Sequence, residues 1–203
     1  MSCYEITTLK TVIFGAGKAS PGLQEWLAAG SGTLLGAFAP DIGNLNEILL
    51  FRRFDSLDEM MAERDRAILS DNPMGCMEHL VDMRFDSLRK FDFLPEVEPG
   101  AYGPVYEFRT YKAKLNGVAV TQDKWRGAMP ERRKYSQLTF AGWGWDGEPR
   151  ITQIWPYESL DARAKARSQS VADGAWPAKG GPDWLTPWIT STIAMPLPFS
   201  PMT

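Results

Sequence analysis

The chain repeats itself once, and this duplication constrains its fold more than any other feature. The segment Tyr4–Lys10 returns as Tyr106–Lys112, 102 positions later, and Ile48–Asp58 returns as Ile151–Asp161, 103 positions later. A period near 100 residues is too long for a solenoid repeat. The chain of 203 residues is long enough for two small cores. We therefore predict a duplicated domain, with one copy over residues 1–100 and the other over 101–203.

Both copies show the same order of predicted elements. For the first copy we predict strands at 4–10, 34–39, 47–54 and 77–85, with helices at 18–30 and after Ser56; for the second, strands at 105–112, 138–145, 150–157 and 185–194, with helices at 118–134 and after Ser159. The order β-α-β-β-α-β is that of a ferredoxin-like unit, which leaves one sheet face open. The predicted fold class is thus α+β, with two ferredoxin-like units in tandem forming one α+β barrel around a cavity.

The helix after each third strand is the best-marked element. Ser56 followed by Glu59 is a capping-box pattern, and Ser159 occupies the equivalent place. Helical spacing predicts that the inner side of these two helices carries Leu57, Met60, Met61, Arg64 and Ile68 in the first copy, and Leu160, Ala164 and Val171 in the second.

Composition excludes several classes of function. The formal charge is -3, so no broad basic field favours nucleic acid or an anionic membrane surface. The uncharged stretch 184–203 carries four prolines, which break a membrane helix. With one histidine and two scattered cysteines, we expect no structural zinc site. The first residues resemble neither a secretory signal nor a transit peptide, and Cys3 and Cys76 are expected to be reduced thiols, so we predict a cytoplasmic protein.

Several spaced segments resemble the NIPSNAP family, within the dimeric α+β barrel superfamily. They are Ala128–Leu138, Ile154–Arg163, Ala172–Pro177 and Met195–Pro201, together with the Glu107–Tyr111 strand. The resemblance is strong over 105–201 and weaker over 4–73. It implies a fold rather than a reaction, because the superfamily includes heme proteins, cofactor-free monooxygenases and isomerases. NIPSNAP third strands commonly carry a histidine and a tryptophan; here Gln153 replaces that histidine while Trp155 is retained, and the first copy has Leu50 and Arg52.

The predicted catalytic group is a polar trio on the opening strand of the second copy. Glu107, Arg109 and Tyr111 alternate with Tyr106, Phe108 and Thr110, so each set shares one face of the strand. If the apolar face packs on the helices, the trio points into the barrel. There it could bind a carboxylate or enolate and move a proton. The alternative is a structural ion pair between Glu107 and Arg109.

The predicted ligand-binding residues extend from this trio. Gln153 and Trp155 share one face of the third strand and suit a planar ligand, with Trp143 and Trp145 near in sequence. Ordinary core packing is the alternative for each ring. Arg52, which takes the place of Trp155 in the first copy, and His79 complete the candidates. His79, the only histidine, could act as an acid–base group, as a heme ligand or as a structural group.

The sequence supports three functions. The leading prediction is a small-molecule protein that binds a planar or acidic organic compound near the second copy, without a cofactor or metal. If it is an enzyme, oxidation, isomerisation or lyase chemistry suits these groups. The rivals are a non-catalytic interaction or sensor scaffold and a heme-binding barrel. The sequence leaves open whether two chains associate into a homodimer through exposed sheet edges.

Overall fold

A computed structural model describes residues 2–203 and shows two compact units. The first unit comprises the chain up to Leu88 with Glu98–Gly100 and Met195–Thr203; the second comprises Arg89–Val97 and Ala101–Ala194. Residues 2–203 contain eight strands and four α-helices in the predicted order, which confirms the α+β class and the two ferredoxin-like units in tandem.

The elements of the first unit follow the sequence prediction closely. They are β1 (Cys3–Thr11), α1 (Ala16–Ala28), β2 (Thr33–Ile42), β3 (Glu47–Phe54), α2 (Leu57–Ile68) and β4 (Leu80–Lys90), with short 3-10 turns at Pro73–Gly75 and Met77–His79. All strand pairs are antiparallel, and the order β4-β1-β3-β2 places β1 and β3 at the centre.

The second unit has the same arrangement. Its elements are β5 (Val105–Ala113), α3 (Gly117–Arg132), β6 (Phe140–Gly144), β7 (Arg150–Tyr157), α4 (Leu160–Ala172), a 3-10 turn at Pro182–Trp184, and β8 (Leu185–Pro196). The order β8-β5-β7-β6 is again antiparallel, with β5 and β7 central. In each unit the opening and third strands are therefore neighbours, as expected.

The predicted caps are present in both units. Ser56 Oγ accepts a hydrogen bond from Glu59 N at 3.1 Å, and Ser159 Oγ accepts one from Ala162 N at 3.0 Å. The predicted inner faces of α2 and α4 are largely wrong, because Leu57, Ile68 and Val171 are exposed. The buried side of α2 carries Met60, Glu63 and Ala67. Glu63 on that side pairs with a charged residue of the sheet, so the buried side of α2 differs from the side that hydrophobicity predicts.

The helices cover the sheet face that carries the buried carboxylates. In the first unit the cluster beneath the helices joins sheet residues Leu9, Ala37, Ile48 and Leu50 to helix residues Ala19, Leu23 and Ala67. Strand alternation places Glu5 and Thr7 on the face of Leu9. On the opposite face, Tyr4 stacks on Phe51 with ring centroids 5.8 Å apart.

The second unit has the same orientation, which corrects the expectation for the polar trio. The Glu107 carboxylate accepts a hydrogen bond from Arg163 of α4. The rings of Tyr111 and of Trp125 in α3 meet edge to face, with centroids 6.5 Å apart. Glu107, Arg109 and Tyr111 do share a face, but that face is covered by the helices. Both faces of the first half of β5 are buried, so alternation alone could not decide which one the helices cover.

Cys3 and Cys76 are both buried, and no disulfide joins them, as expected. Burial raises the pKa of the Cys76 thiol to about 11, which disfavours a reactive thiolate.

Candidate functional site

The centre of the candidate site is the Glu107 carboxylate, whose side chain is fully buried. Its Oε1 atom accepts hydrogen bonds from Arg109 Nη1 at 2.6 Å, Arg163 Nη2 at 2.5 Å and Ser191 Oγ at 2.7 Å. Arg167 Nη1 lies 3.7 Å from the other oxygen, Oε2. Three guanidinium groups thus surround one carboxylate. We call these four charged residues the Glu107 cluster.

The environment of Glu107 keeps it ionised. Burial raises its pKa, but hydrogen bonds from Arg163 and Ser191 and the charge of Arg109 outweigh burial and bring the pKa to about 2. A carboxylate with so low a pKa is a weak proton acceptor at neutral pH. Glu107 is therefore better suited to holding arginines in place than to abstracting a proton.

The arginines of the Glu107 cluster retain unused donors. Within residues 2–203, Arg109 donates only through Nε and Nη1, and the Arg167 guanidinium makes no hydrogen bond. Among the same residues, Arg163 Nε and Glu107 Oε2 are buried without a hydrogen-bond partner. The arginine side chains are 11% (Arg109), 24% (Arg163) and 35% (Arg167) exposed, so solvent reaches this group. Such donors are usually satisfied by water or a ligand.

The equivalent carboxylate of the first unit, Glu5, lies in a closed cluster. Arg52 Nη2 and Arg64 Nε each donate to Glu5 at 2.6 Å, one to each oxygen. Thr7 Oγ1 donates at 2.7 Å, and Arg64 also bonds to Ser87. The Arg52 side chain is only 2% exposed, and that of Arg64 12%. The first-unit cluster is an internal ion-pair network that includes Arg52, whose predicted part in ligand binding stays a prediction.

Arg163 and Arg167 were missed by sequence reasoning, although the repeat contained a signal for one of them. Arg64 and Arg167 lie 103 positions apart, at the same place on equivalent helices, and Glu5 and Glu107 lie 102 positions apart on equivalent strands. Opposite charges repeated in both copies could have indicated a contact. Arg163 has no such signal, because Met60 stands at its position in the first copy.

Gln153 and Trp155 lie beside the Glu107 cluster but are buried, with 1% and 2% exposure. Trp155 Nε1 donates to Gln153 Oε1 at 2.8 Å, and the guanidinium of Arg132 lies 4.4 Å from the Trp155 ring centroid. One face of the indole is therefore occupied by the protein itself. The structure gives Trp155 no open face for a ligand, contrary to the expectation that it would pack against one.

Tyr111 connects the Glu107 cluster to a cavity of about 210 Å³. Arg109 Nε donates to the Tyr111 hydroxyl at 2.9 Å, and the ring of Tyr111 lines the cavity. Trp125 and Trp176, with ring centroids 4.8 Å apart, supply further aromatic wall. The cavity is mostly apolar, so it suits the hydrocarbon part of a small molecule.

The other two predicted tryptophans lie elsewhere in the second unit. Trp143 and Trp145 are 6.2 Å apart and line a wider groove of about 530 Å³. Neither contributes to the cavity next to Tyr111.

His79 belongs to the first unit and is not part of the Glu107 cluster. It ends a 3-10 turn, and its Nε2 atom lies 3.2 Å from Glu78 Oε1. Its heme and acid–base roles stay predictions; a Soret band after hemin addition, lost in His79→Ala, would demonstrate the first.

Within residues 2–203, no group of three or more histidine, cysteine, aspartate or glutamate side chains is placed to hold a metal ion. In the same range no helix is long and apolar enough to cross a membrane.

Comparison with known proteins supports the fold. An anthrone oxidase-like protein has a TM-score of 0.67 at 11% identity, over 97% of this chain and 91% of its own. A monooxygenase-like protein from Lactobacillus acidophilus NCFM has a TM-score of 0.67 at 11% identity, over 96% and 93%. A NIPSNAP family protein of unknown function from Agrobacterium tumefaciens strain C58 is 25% identical over 52% of this chain and 98% of its own, with a TM-score of 0.44. No curated protein matches the chain.

The fold and the two buried carboxylate clusters define an α+β protein built from a duplicated ferredoxin-like unit. The NIPSNAP family model matches it twice, over residues 3–94 and 106–201. The chain therefore belongs to the NIPSNAP family and carries two tandem copies of its domain, as the sequence predicts.

Proposed function

We propose that the second copy binds a small organic acid on the helix-covered side of its sheet. The carboxylate of the ligand lies against Arg109, Arg163 and Arg167, and its apolar or aromatic body occupies the cavity lined by Tyr111 and Trp125. The observation that carries this proposal is the set of unused guanidinium donors around Glu107, beside an aromatic cavity.

The charge balance favours an anion. Three arginines meet one carboxylate in the Glu107 cluster, whereas the Glu5 cluster pairs its arginines with both Glu5 and Glu63. Partial burial strengthens the attraction between a guanidinium and an anionic oxygen relative to bulk water. Arginine also holds carboxylates in a bidentate geometry that lysine cannot provide.

The proposed proton donor is Tyr111. Its hydroxyl accepts a hydrogen bond from Arg109, so the hydroxyl proton is left to donate to a ligand oxygen in the cavity. Arg109 and Tyr111 would hydrogen-bond the same carbonyl or carboxylate oxygen of the ligand and stabilise negative charge on it. Glu107 positions the arginines in this scheme, because its pKa of about 2 makes it a poor base.

The names of the structural neighbours, anthrone oxidase-like and monooxygenase-like, support a small organic ligand for a chain of this fold. The rival is the non-catalytic scaffold, which the contact between Trp125 and Trp176 favours, since these rings fill part of the space themselves.

Titration calorimetry with benzoate tests the proposal. We expect saturable binding that weakens about tenfold in Arg167→Met, because Arg167 lies at the open side of the cluster and, among the described residues, makes no hydrogen bond that its loss would break. Arg133→Met is the matched control: Arg133 follows α3 and is exposed, so its loss should leave the affinity unchanged. Absence of binding by folded protein, or equal affinity of all three proteins, would contradict the proposal and favour the scaffold.

A further inference from the structure

The second unit carries another cavity, formed by the two tryptophans at the end of β6 and the first turns of α3. We call it the tryptophan groove; its walls include Asn116, Val118, Gln122, Trp143 and Trp145. Its volume of about 530 Å³ is within the range of small-molecule sites. Among residues 2–203, it shares no lining residue with the cavity beside Tyr111, so we treat it as a site separate from the organic-acid site.

The polar side chains that line the tryptophan groove are available for hydrogen bonds to a ligand. Within residues 2–203, the side-chain amides of Asn116 and Gln122 make no hydrogen bond, and neither do the indole N–H groups of Trp143 and Trp145. Two amides and two indoles thus offer both donors and acceptors around one space. Of the described residues that line the groove, none carries a formal charge.

The aromatic geometry points to a flat ligand. The two indole rings are 6.2 Å apart and inclined by 61°, so they present one face and one edge rather than a closed stack. Both side chains are half-buried, which leaves part of each ring accessible. Arg89 lies 5.9 Å from the Trp145 ring centroid and holds that indole in place by a cation–π contact. A planar ring can stack on the accessible indole surface while its edge reaches the amides.

From the neutral lining, the two indoles and the unspent amides, we propose that the tryptophan groove binds an uncharged, planar heteroaromatic ring with donors and acceptors on its edge. Asparagine and glutamine side chains recognise such edges by paired hydrogen bonds. A charged aromatic acid is disfavoured here, since the lining residues are uncharged and the neighbouring guanidinium of Arg150 is already paired with Asp146 at 2.6 Å. The groove and the Glu107 cluster therefore select ligands of different charge.

The test uses adenosine as the neutral probe, followed through the indole N–H signals in two-dimensional nuclear magnetic resonance spectra. We expect saturable shifts of the Trp143 and Trp145 signals at about 1 mM adenosine or below. Gln122→Leu should weaken binding about fivefold, and Trp143→Leu about tenfold. Asn116→Gly removes the other amide without backbone strain, because Asn116 already has a φ of 62°; we expect a similar loss of about fivefold.

Trp188→Leu is the matched control, since Trp188 is 69% exposed and lies outside the groove. Its adenosine affinity should equal that of the unmodified protein. The proposal is overturned if adenosine causes no saturable shift, or if Trp188→Leu weakens binding as much as Trp143→Leu. It is also overturned if cellobiose, a neutral sugar without an aromatic ring, binds to the groove and adenosine does not. Adenosine binding that survives in Arg167→Met shows that this site is independent of the benzoate site.

Discussion

Arg109 Nη1 donates a 2.6 Å hydrogen bond to Glu107 Oε1, but this arginine is one of several partners of that carboxylate. Arg163 and Ser191 remain when Arg109 is removed. Loss of Arg109 therefore has two separate consequences. It leaves Glu107 with its other hydrogen-bond partners, and it removes a partly buried positive charge from the proposed ligand site.

We predict that Arg109→Met weakens benzoate binding about tenfold while lowering the free energy of unfolding by only about 1 kcal/mol. Thermal melts and calorimetric titrations of this variant measure both quantities. A strongly destabilised protein with unaltered affinity would show that Arg109 serves only to neutralise Glu107.

The two buried carboxylates should differ in their contribution to stability. Glu5→Gln is expected to cost about 3 kcal/mol, because it leaves Arg52, with a 2% exposed side chain, without its short ion pair. Glu107→Gln should cost about 1–2 kcal/mol, since its arginines reach solvent. Urea unfolding of the two variants measures the difference. Equal losses would contradict the distinction between a closed and an open cluster.

The Glu107 cluster also predicts a pH dependence. Burial alone would raise the pKa of Glu107, but its hydrogen bonds and the charge of Arg109 lower it from 4.5 to about 2 in the folded protein. The folded state therefore binds this proton less readily than the unfolded state. The stabilisation is complete above pH 4.5 and is lost as the pH falls toward 2.

Unfolding free energies between pH 6 and pH 2, roughly the range over which carboxylates titrate, test this prediction. Glu107→Gln should lose less stability over that range than the unmodified protein. Glu148→Gln, at an exposed surface pair with Lys112, is the control and should follow the unmodified protein. Parallel curves for all three proteins would show that Glu107 contributes no acid sensitivity.

The observed caps predict equal effects in the two copies. Ser56→Ala and Ser159→Ala should each lower the free energy of unfolding by about 1 kcal/mol, because each hydroxyl satisfies one backbone N–H at a helix start. Ser168→Ala is the control: Ser168 is exposed within α4, and its hydroxyl donates to the carbonyl of Lys165 at 3.1 Å rather than capping a helix start. An unchanged melting curve for either capping variant would contradict its role.

Much of the fold could be predicted because local sequence patterns indicate its elements. The duplication, the order of elements, the third strands at 47–54 and 150–157, and the two serine caps all appear in the structure as the sequence indicates. Apart from the duplication, each depends on neighbouring residues alone: strand alternation, turn chemistry and a hydroxyl placed before a helix.

The candidate site could be predicted only in part. Alternation placed Glu107, Arg109 and Tyr111 on one face, and they do share it. The sequence did not indicate whether the helices cover that face. The first half of β5 is buried on both sides, and both sets of side chains are compatible with a core.

The sequence by itself determined which residues stand side by side on each strand and that the domain is present twice. Only the tertiary structure decided that α4 brings Arg163 and Arg167 onto Glu107, and that Arg132 covers the ring of Trp155. The physical reason is that the period of a helix or strand fixes the face on which each of its side chains lies, whereas the partners of that side chain come from elements distant in sequence. Their approach is set by packing, which can place a charged residue where hydrophobicity predicts an apolar one.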